Sequence, residues 1–170
     1  MNYQSRKAEL ADLPQIWTIL QQAILRRKAD CSNQWQDGYP NPEVVANDIA
    51  KEVGYVLMIQ DKIAAYSAIL INAEPEYENL QGKWLTLADF VVFHRIAVAD
   101  EYLGKGLARL MFDYIESFAR QHQIYSIKAD TNFDNAVMLH LFVQTGYIYC
   151  GEVYFRGSPR KAFEKVLLNY

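Results

Sequence analysis

The chain has 170 residues and a formal net charge of −3, a length that suits one domain with a full core and a balance without the basic face that nucleic acid requires. Its two cysteines, Cys31 and Cys150, make neither a disulfide framework nor a metal-ligand spacing, which points to free thiols in a reducing cytoplasm and to no metal. Residues 1–9 are too polar for a secretory leader, and the longest apolar run, residues 63–71, is broken by Ser67 and too short to span a bilayer, so no membrane partner is expected.

Residues 2–8 predict a first strand. Asp12 reads as the N-cap of an amphipathic helix with Pro14 in its first turn and Leu13, Ile16, Trp17, Leu20 and Ile24 on its apolar face. That helix ends near residues 28–30, where Arg26, Arg27 and Lys28 suit the negative end of its dipole. Residues 31–42 form a loop carrying Trp35 and Tyr39, which either lid the core or wall a pocket. Residues 42–53 predict a second helix, with Val44, Val45, Asp48 and Ile49 at helical spacing and Gly54 as its stop. Residues 55–60 and 62–71 read as a hairpin about Asp61, and residues 72–82 as a loop or hairpin tip. Residues 84–98 are strand-like. Strict alternation from His94 places Ile96 and Val98 on its face, and Arg95 and Ala97 on the other.

Beyond this strand, Leu107, Leu110, Met111, Tyr114, Ile115 and Phe118 share one helix face that runs to about residues 120–122. Residues 125–129 predict a strand. Asn132, Asp134 or Asn135 can cap a further helix carrying Val137, Met138, Leu141 and Phe142, with Gly146 just past its end. Residues 147–153 predict a strand, Gly157-Ser158-Pro159 a turn and residues 161–168 a last strand. Hairpins first and strand–helix alternation later indicate an α/β (α+β) fold, a mixed sheet flanked by helices.

The chemistry centres on Leu103-Gly104-Lys105-Gly106-Leu107-Ala108, a glycine-rich turn between strand and helix. A helix N-terminus leaves backbone N–H groups unpaired and partly positive. Gly104 and Gly106 let an anion approach the backbone, and Lys105 adds a charge. The turn therefore reads as a phosphate or pyrophosphate cradle, or else as a tight connection with no ligand. It is not a P-loop, because Gly106 stands where Ser or Thr would ligate a metal, and not a dinucleotide fingerprint, because Arg109 stands at the third glycine.

This segment resembles the GNAT family of acyl-CoA N-acyltransferases, whose signature is Arg or Gln, two residues, Gly, one residue, then Gly or Ala. Leu103, Gly106 and Ala108 take those positions, and Leu103 departs from the pattern. Asn135, Met138, Leu141-Phe142 and Gly146-Tyr147 resemble a second family segment, and residues 151–165 resemble the tail of a bacterial subgroup of unassigned substrate. The resemblance covers nearly the whole chain. It implies a single N-acetyltransferase domain over residues 1–170, a mostly antiparallel central sheet with a splayed strand pair, and acetyl-CoA as cosubstrate. The cosubstrate's pyrophosphate would lie on the backbone of Leu103, Gly104, Lys105, Gly106, Leu107 and Ala108, its pantetheine along Ile96 and Val98, and its arm against Asn135, which is equally a helix cap. Trp35 and Tyr39 would wall the acceptor pocket.

A general base should titrate near neutrality. His94 is the best residue type, with Asp89, Asp130 or a water chain as rivals. The family often places a tyrosine, as general acid, where this chain has Phe142. Tyr149 or Tyr154 would have to substitute, or the thiolate leaves unassisted. The implied activity is acetyl transfer to a primary amine of a small molecule, peptide or protein by direct attack; the last strand offers an edge for a homodimer, with the oligomeric state left open. An acyl-CoA-binding module without turnover, and an interaction domain with an empty cleft, are the alternatives.

Overall fold

The two β-rich runs within residues 54–71 fold as an antiparallel hairpin, β2 (Gly54–Ile59) and β3 (Lys62–Ile71), in a computed structural model that describes residues 3–168. Before it come β1 (Gln4–Lys7), α1 (Leu13–Ala29) and α2 (Pro42–Ala50). After it come β4 (Gln81–Gly82), β5 (Phe90–Val98), α3 (Leu107–Gln121), β6 (Ser126–Thr131), α4 (Ala136–Gln144), β7 (Ile148–Phe155) and β8 (Ser158–Val166). The strands form one mixed sheet in the order β1-β2-β3-β5-β6-β8-β7-β4. The pairs β1–β2, β2–β3, β4–β7, β6–β8 and β7–β8 are antiparallel, while β5 and β6 run parallel. The parallel ladder joins Phe90, Val91 and Val92 to Ser126, Ile127 and Lys128, and β5 continues past its end to Val98.

Several boundaries differ from the sequence reading. The strand expected over residues 84–98 begins only at Phe90, because the backbone amides of Leu85 and Thr86 bond the buried carboxylate of Glu164 instead of a neighbouring strand. Ser158 and Pro159 lie in β8, and the turn before it sits at Arg156–Gly157, both with positive φ. The first strand falls on Gln4–Lys7, with Asn2 outside the described residues. Gly54 does not stop α2 but opens β2; the reversal falls on Glu52, at φ 56°. The two-residue β4 and a short 3-10 turn, Pro75–Asn79, occupy the stretch read as loop. At α4 the cap is Asn135, and Gly146 follows the helix at φ 81°.

Asp12 stands at the N-cap position of α1, but its side chain makes no cap hydrogen bond to the helix. Its carboxylate takes two hydrogen bonds from the Arg6 guanidinium, at 2.6 and 2.9 Å, and another from the Glu9 amide at 2.8 Å. The Arg6 hydrogen bonds hold the Asp12 carboxyl below its usual range. A depressed carboxyl stabilises the fold above its unfolded pKa of about 3.9 and loses that contribution as pH falls through the folded value. Asp12→Asn is therefore expected to destabilise the protein at neutral pH and to flatten the acid limb of its unfolding curve, measured by denaturant titration across pH.

By its contacts the described chain divides into two units, residues 3–69 with 94–114 and residues 70–93 with 115–168. In the first, the buried face of α1 (Ile16, Ile19, Leu20, Ala23) packs with Val45, Val56, Ile63, Tyr66, Ala97 and Ala99. In the second, Phe142 stacks on Phe163 at 4.6 Å and meets Tyr147 at 5.2 Å. There Glu164 accepts hydrogen bonds from Ser126 Oγ at 2.7 Å and Thr86 Oγ1 at 2.6 Å, so its buried charge is satisfied. Among the described residues no helix is long and apolar enough to cross a membrane.

Candidate active site

The glycine turn lies in the first unit. After β5, a 3-10 turn at Asp100–Tyr102 leads through Leu103 to Gly104 and Gly106, at φ 71° and 82°. Both angles lie in the left-handed region that glycine adopts without strain. A Cβ built on either glycine meets nothing within 4 Å, so the space above the turn is open. The amides of Leu103 and Lys105 bond the carbonyls of Asp100 and Tyr102, at 3.2 and 3.3 Å. The first α3 bond is Leu110 N–H to Gly106 O at 3.1 Å. Among the described residues the amides of Gly104, Gly106, Leu107 and Ala108 have no partner within the chain. These amides lie at the positive end of the α3 dipole.

Lys105 is not a free-swinging charge. Its ammonium donates to the Glu101 carbonyl at 2.7 Å and sits 5.1 Å from the centroid of the Tyr102 ring. Two side chains of α1 brace the approach to the turn. Gln22 Oε1 accepts from the Asp100 amide at 3.0 Å, and Arg26 pairs with the Asp100 carboxylate while donating to the Val98 carbonyl at 3.0 Å. Val98 therefore shares its carbonyl with a side chain from α1.

β5 does not alternate strictly. Arg95 lies at φ 58°, which breaks the two-residue period between His94 and Ile96. A left-handed residue turns a strand locally, while Arg95 and Ala97, expected on one face, both enter the first unit's core. Ser67 Oγ donates to the His94 carbonyl at 3.0 Å. The Arg95 side chain enters the core, where Nε and Nη2 meet Asp48 at 3.0 and 2.8 Å and Nη1 donates to the Tyr39 hydroxyl. Tyr66 donates to the same carboxylate at 2.6 Å. Burial opposes the Arg95 charge, but the surrounding oxygens of Tyr39, Asp48 and Tyr66 outweigh it and raise the pKa. Burial and then Asp48 push the Tyr66 phenol far above its ordinary value. Trp35, at φ 62°, packs half-buried against the first unit's core, while Tyr39 is held by Arg95.

The remaining candidates belong to the second unit. The Asn135 side-chain oxygen caps α4 by accepting from the Met138 amide at 3.2 Å. Tyr149 is exposed, with its ring edge-on to Phe163 at 5.7 Å. Tyr154 bonds Glu152 at 3.2 Å, which raises its pKa and makes it a poorer acid. Phe142 is fully buried. Of the rival bases, Asp130 is enclosed between the Tyr77 hydroxyl at 2.7 Å and Arg160 at 3.3 Å, and Asp89 accepts from Asn72 at 2.9 Å. Sequence reasoning missed the Asp48–Arg95–Tyr66 cluster and the Arg26 brace. The signal was present as a carboxylate on the apolar face of α2 and a guanidinium inside an apolar strand, two opposite charges at core positions.

A family model described as Acetyltransferase (GNAT) family matches residues 20–147. A crystal structure of a GNAT-family acetyltransferase from Streptococcus agalactiae is 30% identical, covers 98% of this chain and 96% of its own, and superposes at TM-score 0.89. A GNAT-family acetyltransferase from Listeria monocytogenes is 18% identical, with 97% and 95% coverage and TM-score 0.78. The structure of yncA from Salmonella typhimurium with its cofactor acetyl-CoA is 17% identical, with 99% and 95% coverage and TM-score 0.69. None of the curated proteins compared with the chain matches it.

Proposed function

The chain belongs to the GNAT acetyltransferase family, and from that premise we propose that it transfers an acetyl group from acetyl-CoA to a primary amine of a small molecule, peptide or protein by direct attack. The observation that carries this reading is the set of unpaired amides at Gly104, Gly106, Leu107 and Ala108 beneath open space. Such a cradle fits a diphosphate, which it binds through backbone rather than through the side chain that Leu103 lacks. The pantetheine is assigned to the backbone of Ile96 and Val98, with the Val98 carbonyl shared with Arg26. Trp35 and Tyr39 are assigned to the acceptor wall. The acetyl-CoA-bound yncA structure supports the choice of cosubstrate.

In the reaction the amine loses a proton and attacks the thioester carbon. The C–N bond forms, the C–S bond breaks, and CoA departs as thiol or thiolate. His94 is assigned as base. CoA at a hundred times its dissociation constant is expected to stabilise the protein by about 2.7 kcal/mol, read as a thermal shift; no shift at millimolar CoA would overturn the assignment. His94→Ala is expected to lower turnover by about 100-fold or more, with CoA affinity unchanged. Unaltered kinetics on an accepted amine would remove His94 as base. Phe142 supports one second reading, a module that binds acyl-CoA without turnover, since its position is buried and carries no proton. Thiol release from acetyl-CoA over a panel of amines separates the two.

A further inference from the structure

Arg95 lies at φ 58° between His94 and Ile96, in the left-handed region that non-glycine residues rarely adopt. The side chain beneath that kink is tied down on every arm. Asp48 takes Nε at 3.0 Å and Nη2 at 2.8 Å, and Nη1 donates to the Tyr39 hydroxyl. Tyr66 braces the same carboxylate at 2.6 Å, and Ser67 Oγ holds the carbonyl on the N-terminal side of the kink at 3.0 Å. Only 9% of the Arg95 side chain and 6% of the Asp48 side chain remain exposed. A guanidinium is a rigid planar fork, so the directions of its N–H groups are fixed relative to one another. Asp48 fixes the plane and so directs Nη1 at the Tyr39 oxygen, while the buried side chain tethers the kinked residue 95 to α2.

Two parts of the site therefore meet at one group. The backbone either side of Arg95 belongs to the strand segment assigned to the pantetheine arm. Tyr39 belongs to the loop assigned to the acceptor. We propose that Asp48 and Arg95 are positioning residues for acetyl transfer, which set the kink of β5 and the Tyr39 loop from a single guanidinium and so hold the acyl arm and the acceptor wall in mutual register. This role rests on the acetyl-transfer reading above. It requires the fork geometry of arginine and not merely its charge. It also separates two effects. Loss of the Tyr39 hydroxyl frees the acceptor loop and leaves the kink in place, whereas disturbing the Asp48–Arg95 pair releases both.

The test follows the thioester carbonyl of [1-13C]acetyl-CoA bound to the full chain, by 13C NMR, alongside the affinity for CoA itself. Arg95→Lys keeps the charge and removes the fork. Its expected result is a bound carbonyl resonance moved back toward the free value while CoA affinity is retained, and turnover on an accepted amine reduced by up to about 100-fold, the effect of misplacing reacting atoms by about 1 Å. Tyr39→Phe is expected to leave the carbonyl resonance at its wild-type position and to raise KM for the amine. Should Arg95→Lys fail to fold, Tyr66→Phe, which loosens Asp48 without removing the pair, is expected to shift the resonance in the same direction by a smaller amount. A carbonyl resonance identical to wild type in the folded Arg95→Lys variant, or in Tyr66→Phe where Arg95→Lys does not fold, overturns the positioning role. Failure of the wild-type protein to bind acetyl-CoA at all is a different result and overturns the acetyl-transfer reading itself.

Discussion

Gly106→Glu is expected to abolish CoA binding. The residue sits at φ 82° in the middle of the amide cradle, and the space its side chain would enter is open. The carboxylate is therefore not excluded by contact; it stands where the diphosphate would lie. Two unit charges about 4 Å apart repel by about 4 kcal/mol at an effective dielectric of about 20, which corresponds to about 1,000-fold in affinity. The left-handed backbone adds about 1–2 kcal/mol of strain to the fold for any L side chain. Gly106→Ala separates the two effects, since it carries the strain without the charge. That variant is expected to melt earlier than wild type and still to shift upward with CoA. Titration of CoA into both variants checks the prediction, and retained affinity in Gly106→Glu would place the diphosphate elsewhere.

Asp48→Ala is expected to give a large loss of stability. It leaves the Arg95 guanidinium buried with its bidentate partner gone and removes the acceptor that Tyr66 uses. Breaking one side of a buried pair costs about 3–5 kcal/mol, because the remaining charge is uncompensated. At about 2–4 °C per kcal/mol for a chain of this size, the melting temperature should fall by about 10 °C. The double variant Asp48→Leu with Arg95→Met removes both charges and is expected to lose less than the single change. Denaturant unfolding of the three proteins measures this directly. A loss below about 1 kcal/mol for Asp48→Ala would mean that water reaches Arg95.

Much of the molecule was legible before its coordinates. Of the apolar face predicted for α3, Leu107, Met111, Ile115 and Phe118 are buried and Leu110 and Tyr114 half-buried, while Phe112 and Ala119 are buried beside it. The glycine turn falls at the N-terminus of that helix, and Gly146 closes α4 as a C′ residue should. The errors share a cause. Asp12 had the right chemistry for a cap, but Arg6 on β1 competes for its carboxylate. The strand expected from residue 84 starts late because Glu164, 79 positions further on, takes the backbone of Leu85.

By itself the sequence determined the order and kind of the elements apart from β4 and the short 3-10 turns, the glycine turn at the start of α3, and the family. Helical and strand periods, and glycine's tolerance of positive φ, are local properties that each segment carries alone. Only the tertiary structure decided which cradle amides stay unpaired, which carbonyl Arg26 engages and how the strand before the turn is bent. Those outcomes depend on partners far away in the chain: the carboxylate that anchors Arg95 is 47 positions distant. A buried charge must find its counter-charge wherever folding brings one, and no periodicity records where that will be.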